Sequence, residues 1–128
     1  MQQSNPVMGI NVNQGKNAFA DKIVNGEKYY ETRETDSLRP YVGKRVGIIR
    51  TGQGKAKAIG EVTIGEPIIV SSSEVFAQFS HQHLVPHGSK FDIKPNGIKY
   101  LYPMLDPIAY QVEKEVAKYG IVSRKIIS

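Results

Sequence analysis

Apolar and polar positions along this chain change period several times, and each change marks an element. Residues 7–12, VMGINV, are short and rich in β-branched side chains and predict a first strand. Over residues 17–25 the spacing becomes helical. Phe19 with Ile23, and Ala20 with Val24, are i, i+4 couples that share one face. Gly26 suits the left-handed position just past a helix end, because it has no Cβ to clash there. Residues 28–34 alternate weakly and predict a strand. In a regular strand Glu31 and Arg33 share a face and Lys28 points the other way. Lys28 joins them only if pairing starts after it, while the chain still turns away from Gly26.

Residues 35–44 predict a loop, broken by Pro40 and Gly43. Residues 45–51 predict a strand, GQGK at 52–55 a tight turn, and 56–64 a second strand of a hairpin with a basic tip. In that second strand Ala56, Ala58, Gly60, Val62 and Ile64 alternate with Lys55, Lys57, Glu61 and Thr63. Residues 66–70 continue as strand, with Pro67 favouring an edge or a bulge. Ser71 and Glu74 have capping-box spacing ahead of a short helix carrying Val75, Phe76 and Phe79. His81, His83 and His87 follow on a loop, and 89–97 is polar, turning at Pro95-Asn96-Gly97. Residues 98–104 alternate again, with Ile98, Tyr100 and Tyr102 opposite Lys99 and Leu101. Asp106 is placed to cap a helix starting at Pro107, with Ile108, Val112, Val116 and Tyr119 on one face and Gly120 at its end. Residues 121–127 predict a closing strand. Six or seven short strands and three helices in mixed order lack the regular βαβ alternation of a doubly wound sheet. They predict an α+β fold, a small mixed β-barrel with helices packed at its ends, as one domain over residues 1–128.

Composition narrows the chemistry. The 128 residues suit one core, and 40% hydrophobic with 23% charged residues is a globular balance. With no cysteine, disulfides and thiolate metal sites are excluded. The N-terminal stretch lacks a basic start followed by a long apolar run, and no apolar run approaches membrane-spanning length, so a soluble cytoplasmic protein with no membrane partner is expected. The net charge of +5 is unevenly placed. Residues 14–57 hold ten basic and five acidic side chains, whereas 58–128 hold seven of each. A basic region of this kind concentrates anions such as phosphates. Gly52, Gly54 and Lys55 resemble a phosphate loop only superficially, because Ala56 and then a strand follow where Ser/Thr and a helix are needed. Three histidines within seven residues have metal-binding spacing, but no acid lies among them, and neither a metal nor another cofactor is expected.

The stretch Gly26-Glu27-Lys28-Tyr29-Tyr30-Glu31-Thr32-Arg33 matches the GxKxxExR signature of the ASCH domain family. FADKIVNG ahead of it, GEVTIGEP at 60–67 and KYLYPMLDP at 99–107 resemble the family's helix and later strands, so the resemblance runs from about residue 9 to about residue 126. It implies a PUA-like β-barrel with a cleft where the signature residues sit, and RNA or a nucleotide as partner. In a branch that hydrolyses the amide of acetylcytidine, the signature Lys acts with a Thr three residues later and a Glu from a later strand. Lys28 matches that Lys, Glu31 stands at the Thr position, and Glu66 or Glu61 is placed to supply the later carboxylate.

Three functional readings follow. As a binding module for RNA or a nucleotide, the chain would use Gly26, Lys28, Glu31 and Arg33 in the cleft and Arg45, Arg50, Lys55 and Lys57 along a phosphate backbone. Tyr29, Tyr30, Tyr100 and Tyr102 would stack on bases or, as aromatic side chains more often do, fill the core. As a hydrolase of a modified nucleoside, it would use Lys28 as proton carrier or nucleophile with Glu31 or Glu66. Metal-independent cleavage of RNA by Lys28 with a Tyr or His is a third reading.

Overall fold

A computed structural model describes residues 6–128, so the part of the N-terminal reading that rests on residues 1–5 lies outside them. The first strand, β1 (Met8–Asn13), leads into helix α1 (Phe19–Val24) and then β2 (Tyr30–Arg33). After a single 3₁₀ turn at Arg39–Tyr41, β3 (Arg45–Thr51) and β4 (Lys57–Ile64) form the expected hairpin. Strand β5 (Ile68–Val70) precedes two short helices, α2 (Ser73–Gln78) and α3 (Ser80–His83). A long strand, β6 (Lys99–Lys114), then runs into β7 (Val116–Lys118) and β8 (Ser123–Ile126). The sheet is ordered β2-β6-β4-β3-β1-β8-β7, with β5 added to β6. All pairs are antiparallel except β1 with β3.

The fold is mixed α+β, with one large sheet and three α-helices among the described residues. Barrel closure, expected from the strand count, is not observed. Among the described residues no ladder joins β2 to β7, the two ends of the path.

The largest departure from expectation is residues 107–119. They are not a helix but the second half of β6 and then β7. The i, i+4 spacing of Ile108, Val112 and Val116 is equally a multiple of the two-residue strand period, and all three are β-branched, which favours strand. Asp106 adopts a left-handed φ of 50° inside the strand, where the β4–β6 register shifts, and caps no helix. Ile108 and Val112 remain exposed, so this stripe faces away from the core. What buries here is the opposite partner. Gly60 of β4 lies against the Ile108 carbonyl and the Val24 side chain, with no room for a Cβ.

Helix α1 packs Phe19, Ala20, Ile23 and Val24 onto β1, β3 and β4, as its pattern predicts. Six residues cannot hold a helix alone. Burial of each large apolar side chain, worth about 1.5–3 kcal/mol, supplies what backbone propensity does not. Its N-terminus is satisfied by Gln14, which accepts from the Asp21 N–H at 3.1 Å and donates to the Asp21 carboxylate at 2.6 Å. The capping residue of α2 is Ser72, not Ser71, and its hydroxyl accepts from the Val75 N–H at 3.2 Å. The one-residue shift removes Glu74 from the capping-box position and leaves Val75 exposed, while Phe76 is buried. Tyr30 and Tyr102 are core residues, and the Tyr102 hydroxyl donates to Asp36 and accepts from the Leu38 N–H.

The Gly60 contact gives a test of the β4–β6 register. A Gly60→Ala substitution forces backbone apart in the centre of the sheet and should lower stability by about 1–3 kcal/mol in urea unfolding. A helix over 107–119 would take Ile108 away and leave only the Val24 side chain against the new methyl, with a smaller loss.

Candidate functional site

Lys28 sits at the floor of a cleft because of how α1 ends. Asn25 closes the helix and Gly26 turns the chain with φ +86°. The Asn25 side chain bridges to Glu27, accepting from its N–H at 3.0 Å and donating to its carboxylate at 2.8 Å. The Lys28 N–H donates back to the Lys22 carbonyl at 2.9 Å, and the Tyr29 N–H to the Gln82 carbonyl at 2.8 Å. Only then does the β2–β6 ladder start, at Tyr30 opposite Pro103. Pairing therefore begins after Lys28, which is the condition under which Lys28, Glu31 and Arg33 meet.

They do meet. All three line one cavity of about 600 Å³. The Lys28 side chain is 1% exposed. Its ammonium donates to the His83 carbonyl and lies 4.6 Å from the centre of the Phe19 ring. Burial lowers its pKa to about 8, opposed by the Glu31 charge and reinforced by Arg33, Lys99 and Lys22. Glu31 is buried beside it and accepts from the Arg33 Nε at 3.0 Å. The Arg33 guanidinium also donates to the Asn11 carbonyl of β1 at 2.6 Å, so the pair is fixed between two strands. Aromatic edges complete one wall, with Phe19 and Phe91 packed edge to face at 5.3 Å between centroids.

His83 holds the carbonyl that Lys28 uses. Its ring is buried and neutral, donating from Nε2 to the Phe76 carbonyl at 2.9 Å and accepting at Nδ1 from the Val85 N–H at 2.9 Å. Burial lowers its pKa, and Lys28 adds to the effect. The expected loop at His81–His83 is instead α3, and His81 and His87 are exposed. Among the described residues no group of three His, Cys, Asp or Glu side chains converges as a metal site.

Other candidate residues lie elsewhere. Glu66 is exposed and forks onto the Arg39 guanidinium at 2.8 and 2.9 Å, outside the cleft. Glu61 is buried between Arg45, at 2.7 Å, and the Tyr110 hydroxyl, at 2.9 Å. Arg50 makes two 2.8 Å bonds to Glu113, and Lys55 and Lys57 share Glu115 at 3.0 and 2.6 Å. Arg45, Arg50, Lys55 and Lys57 are thus each matched by a carboxylate, and none lines the cleft. Gly26 lines a smaller hollow of about 330 Å³ with Tyr29, Met104 and Pro107, which Lys28 also borders.

The cleft's cations beyond the signature come from a stretch that the charge distribution does not single out. Lys90, Lys94 and Lys99 join Lys28 and Arg33 against two acids, Glu31 and Glu34. The sequence signal for Lys99 is its parity. It shares a strand face with the buried Leu101, so a lysine stem there must be covered.

No protein-family model matches the chain, and no curated protein does. Crystal structures of the ASCH protein from Zymomonas mobilis do superpose on it. A point variant aligns with TM-score 0.66 at 17% identity, over 81% of this chain and 70% of that one. A second structure of the same protein aligns with TM-score 0.65 at 16% identity, over 86% and 70%. The chain has an ASCH domain fold.

A buried charge has a thermodynamic signature. Below pH 8 Lys28 is protonated both folded and unfolded, and its full desolvation cost opposes folding. Between pH 8 and its unperturbed 10.5 the folded amine is neutral while the unfolded one still binds a proton, so the cost shrinks as pH rises. Lys28→Met, which keeps the stem on Phe19, should therefore stabilise the fold at pH 7 by roughly 1–3 kcal/mol, reduced by the orphaned His83 carbonyl. Thermal unfolding at pH 7 and pH 10 checks it: the gain should diminish at the higher pH.

Proposed function

We propose that the cleft binds nucleotide units, free or within RNA. The observation that carries this reading is the convergence of Lys28, Glu31 and Arg33 in a cavity of about 600 Å³ where basic side chains outnumber acids five to two. A mononucleotide fits such a volume. In this reading Glu31 and the Lys28 ammonium read the polar edge of a base, as acceptor and donor. The Arg33 guanidinium, planar and already held by Glu31 and the Asn11 carbonyl, presents its remaining N–H groups to a carbonyl or phosphate. The exposed ring of Tyr29 stands on the other side of the signature, where it offers a stacking face. An adjoining hollow of about 540 Å³, bordered by Lys16 and Ser89, shares Asn13, Lys90 and Phe91 with the cleft, and gives room for a flanking nucleotide.

A second reading is favoured by one specific observation, the Lys28 pKa of about 8. Such an amine is part neutral near physiological pH and suits proton transfer. In the hydrolase reading, neutral Lys28 takes a proton from water attacking the amide carbonyl of a modified nucleoside such as acetylcytidine, and returns it to the departing amine. Arg33 steadies the developing oxyanion. Glu31, beside both, sets the charge balance of Lys28. Glu66 lies outside the cleft, paired with Arg39.

Binding to a short single-stranded RNA, followed by fluorescence anisotropy, tests the first reading. With two to three phosphates neutralised, affinity should fall roughly tenfold between 50 and 200 mM salt, and Arg33→Gln should weaken it by a further factor of about ten. Affinity that stays flat with salt overturns it. Release of cytidine from acetylcytidine by the purified protein, absent in Lys28→Met, tests the second.

A further inference from the structure

Within the cleft the cations differ in what they already hold. Arg33 is bound to Glu31 at 2.9 Å, and Lys94 lies 3.4 Å from Glu34. Lys28 is committed to the His83 carbonyl, and Lys90 is exposed above the Phe91 ring. Lys99 is the exception. It is the first residue of β6, held opposite Val70 by the β5–β6 ladder, and it is only 4% exposed. Yet among the described residues its ammonium makes no hydrogen bond and no ion pair within 4.0 Å, and its side of the strand borders the cleft.

The Lys99 stem is covered, but its ammonium, with three donors and no protein acceptor among the described residues, still opens to the cleft. Burial depresses its pKa, and Glu34 and Glu31 only partly offset this. Neither is close enough to neutralise it directly. The arrangement is that of a receptor with its counter-charge missing: a partly desolvated cation with open donors, in a cavity that Lys94, Thr35 and Ser37 also line. A tetrahedral polyanion offers such donors more acceptor oxygens and more charge than the two oxygens of a carboxylate or a neutral sugar.

We propose that Lys99 is the anchor of a phosphate subsite, so that the cleft selects phosphorylated ligands over neutral nucleosides. The identity of the organic part rests on the nucleotide reading above, but the phosphate site is testable by itself. Lys99 is a binding residue in this scheme and takes no part in proton transfer at Lys28.

The experiment titrates wild type, Lys99→Met and Lys99→Arg with inorganic phosphate, cytidine, cytidine 5′-monophosphate and a short oligocytidine, at constant ionic strength, by calorimetry and thermal shift. The expected result is that wild type prefers the monophosphate to cytidine by about tenfold or more, the weight of one charge-assisted contact. Lys99→Met should remove that preference and the phosphate-induced shift in Tm, and Lys99→Arg should retain both. Met keeps the buried stem, so an unshifted or raised Tm without ligand certifies the fold. Equal affinity of wild type for cytidine and its monophosphate overturns the subsite while leaving a nucleoside site standing. Lys99-dependent phosphate binding with no binding of any cytidine compound supports the subsite and removes the nucleotide reading. Phosphate binding unchanged in Lys99→Met means an adventitious ion only, and no binding of phosphate or monophosphate means no subsite; both overturn it. A Lys99 effect larger on the oligocytidine than on the monophosphate assigns the phosphate to a chain, and the reverse assigns it to a free nucleotide.

Discussion

Three strands take their hydrogen bonds from β6. Its first residues hold β2 on one side and β5 on the other, and the rest of its length holds β4. That shared ladder is the constraint from which both fold and cleft follow. By pairing with Tyr100–Pro103, β2 is brought to rest where Glu31 and Arg33 reach the cavity. By carrying Lys99 at its start, the same strand places a cation within that cavity. By continuing past Asp106, it covers β4, whose Gly60 tolerates the approach because it has no side chain.

The electrostatics divide along the same strand. Where β6 passes the β3–β4 hairpin, Glu113 and the adjacent Glu115 meet Arg50, Lys55 and Lys57. Such partly exposed pairs each add at most about 1 kcal/mol, so their effect is less on stability than on where charge is left over. The hairpin's basic tip is largely cancelled. In the cleft, acids are too few to do the same, and positive charge persists there beside aromatic edges and buried stems. A field that survives in a concavity acts on a ligand more strongly than one spread over a convex surface.

Much of this was legible in the sequence, and the failures are linked. Helix α1, the hairpin, the last strand and the Lys28–Glu31–Arg33 cluster follow from local spacing and turn chemistry, which do not need a partner to be read. Residues 107–119 do need one, because a spacing of four suits both helix and strand, and only the open flank of β4 decides between them. Reading them as a helix also hid Glu113 and Glu115. On a helix they would not have lain along the hairpin, so Arg50, Lys55 and Lys57 looked free to meet phosphates. The Glu66–Arg39 pairing was hidden for a similar reason, since the two are 27 residues apart in sequence and nothing local announces it. Lys90 and Lys94 carry no pattern of their own, and only the folding of 89–97 against Phe19 brings them to the cleft.

The five residues from Asn25 to Tyr29 act as a spacer of set length. Their backbone is tied at Lys22, Gln82 and Met104, so the position of the Lys28 amine is set by how many peptide units intervene before the first ladder rung. Side chains such as Glu27 can vary with little consequence for that position. Adding or deleting one residue between Lys28 and Tyr30 draws the amine away from the His83 carbonyl and leaves Glu31 and Arg33 facing a cavity with no floor.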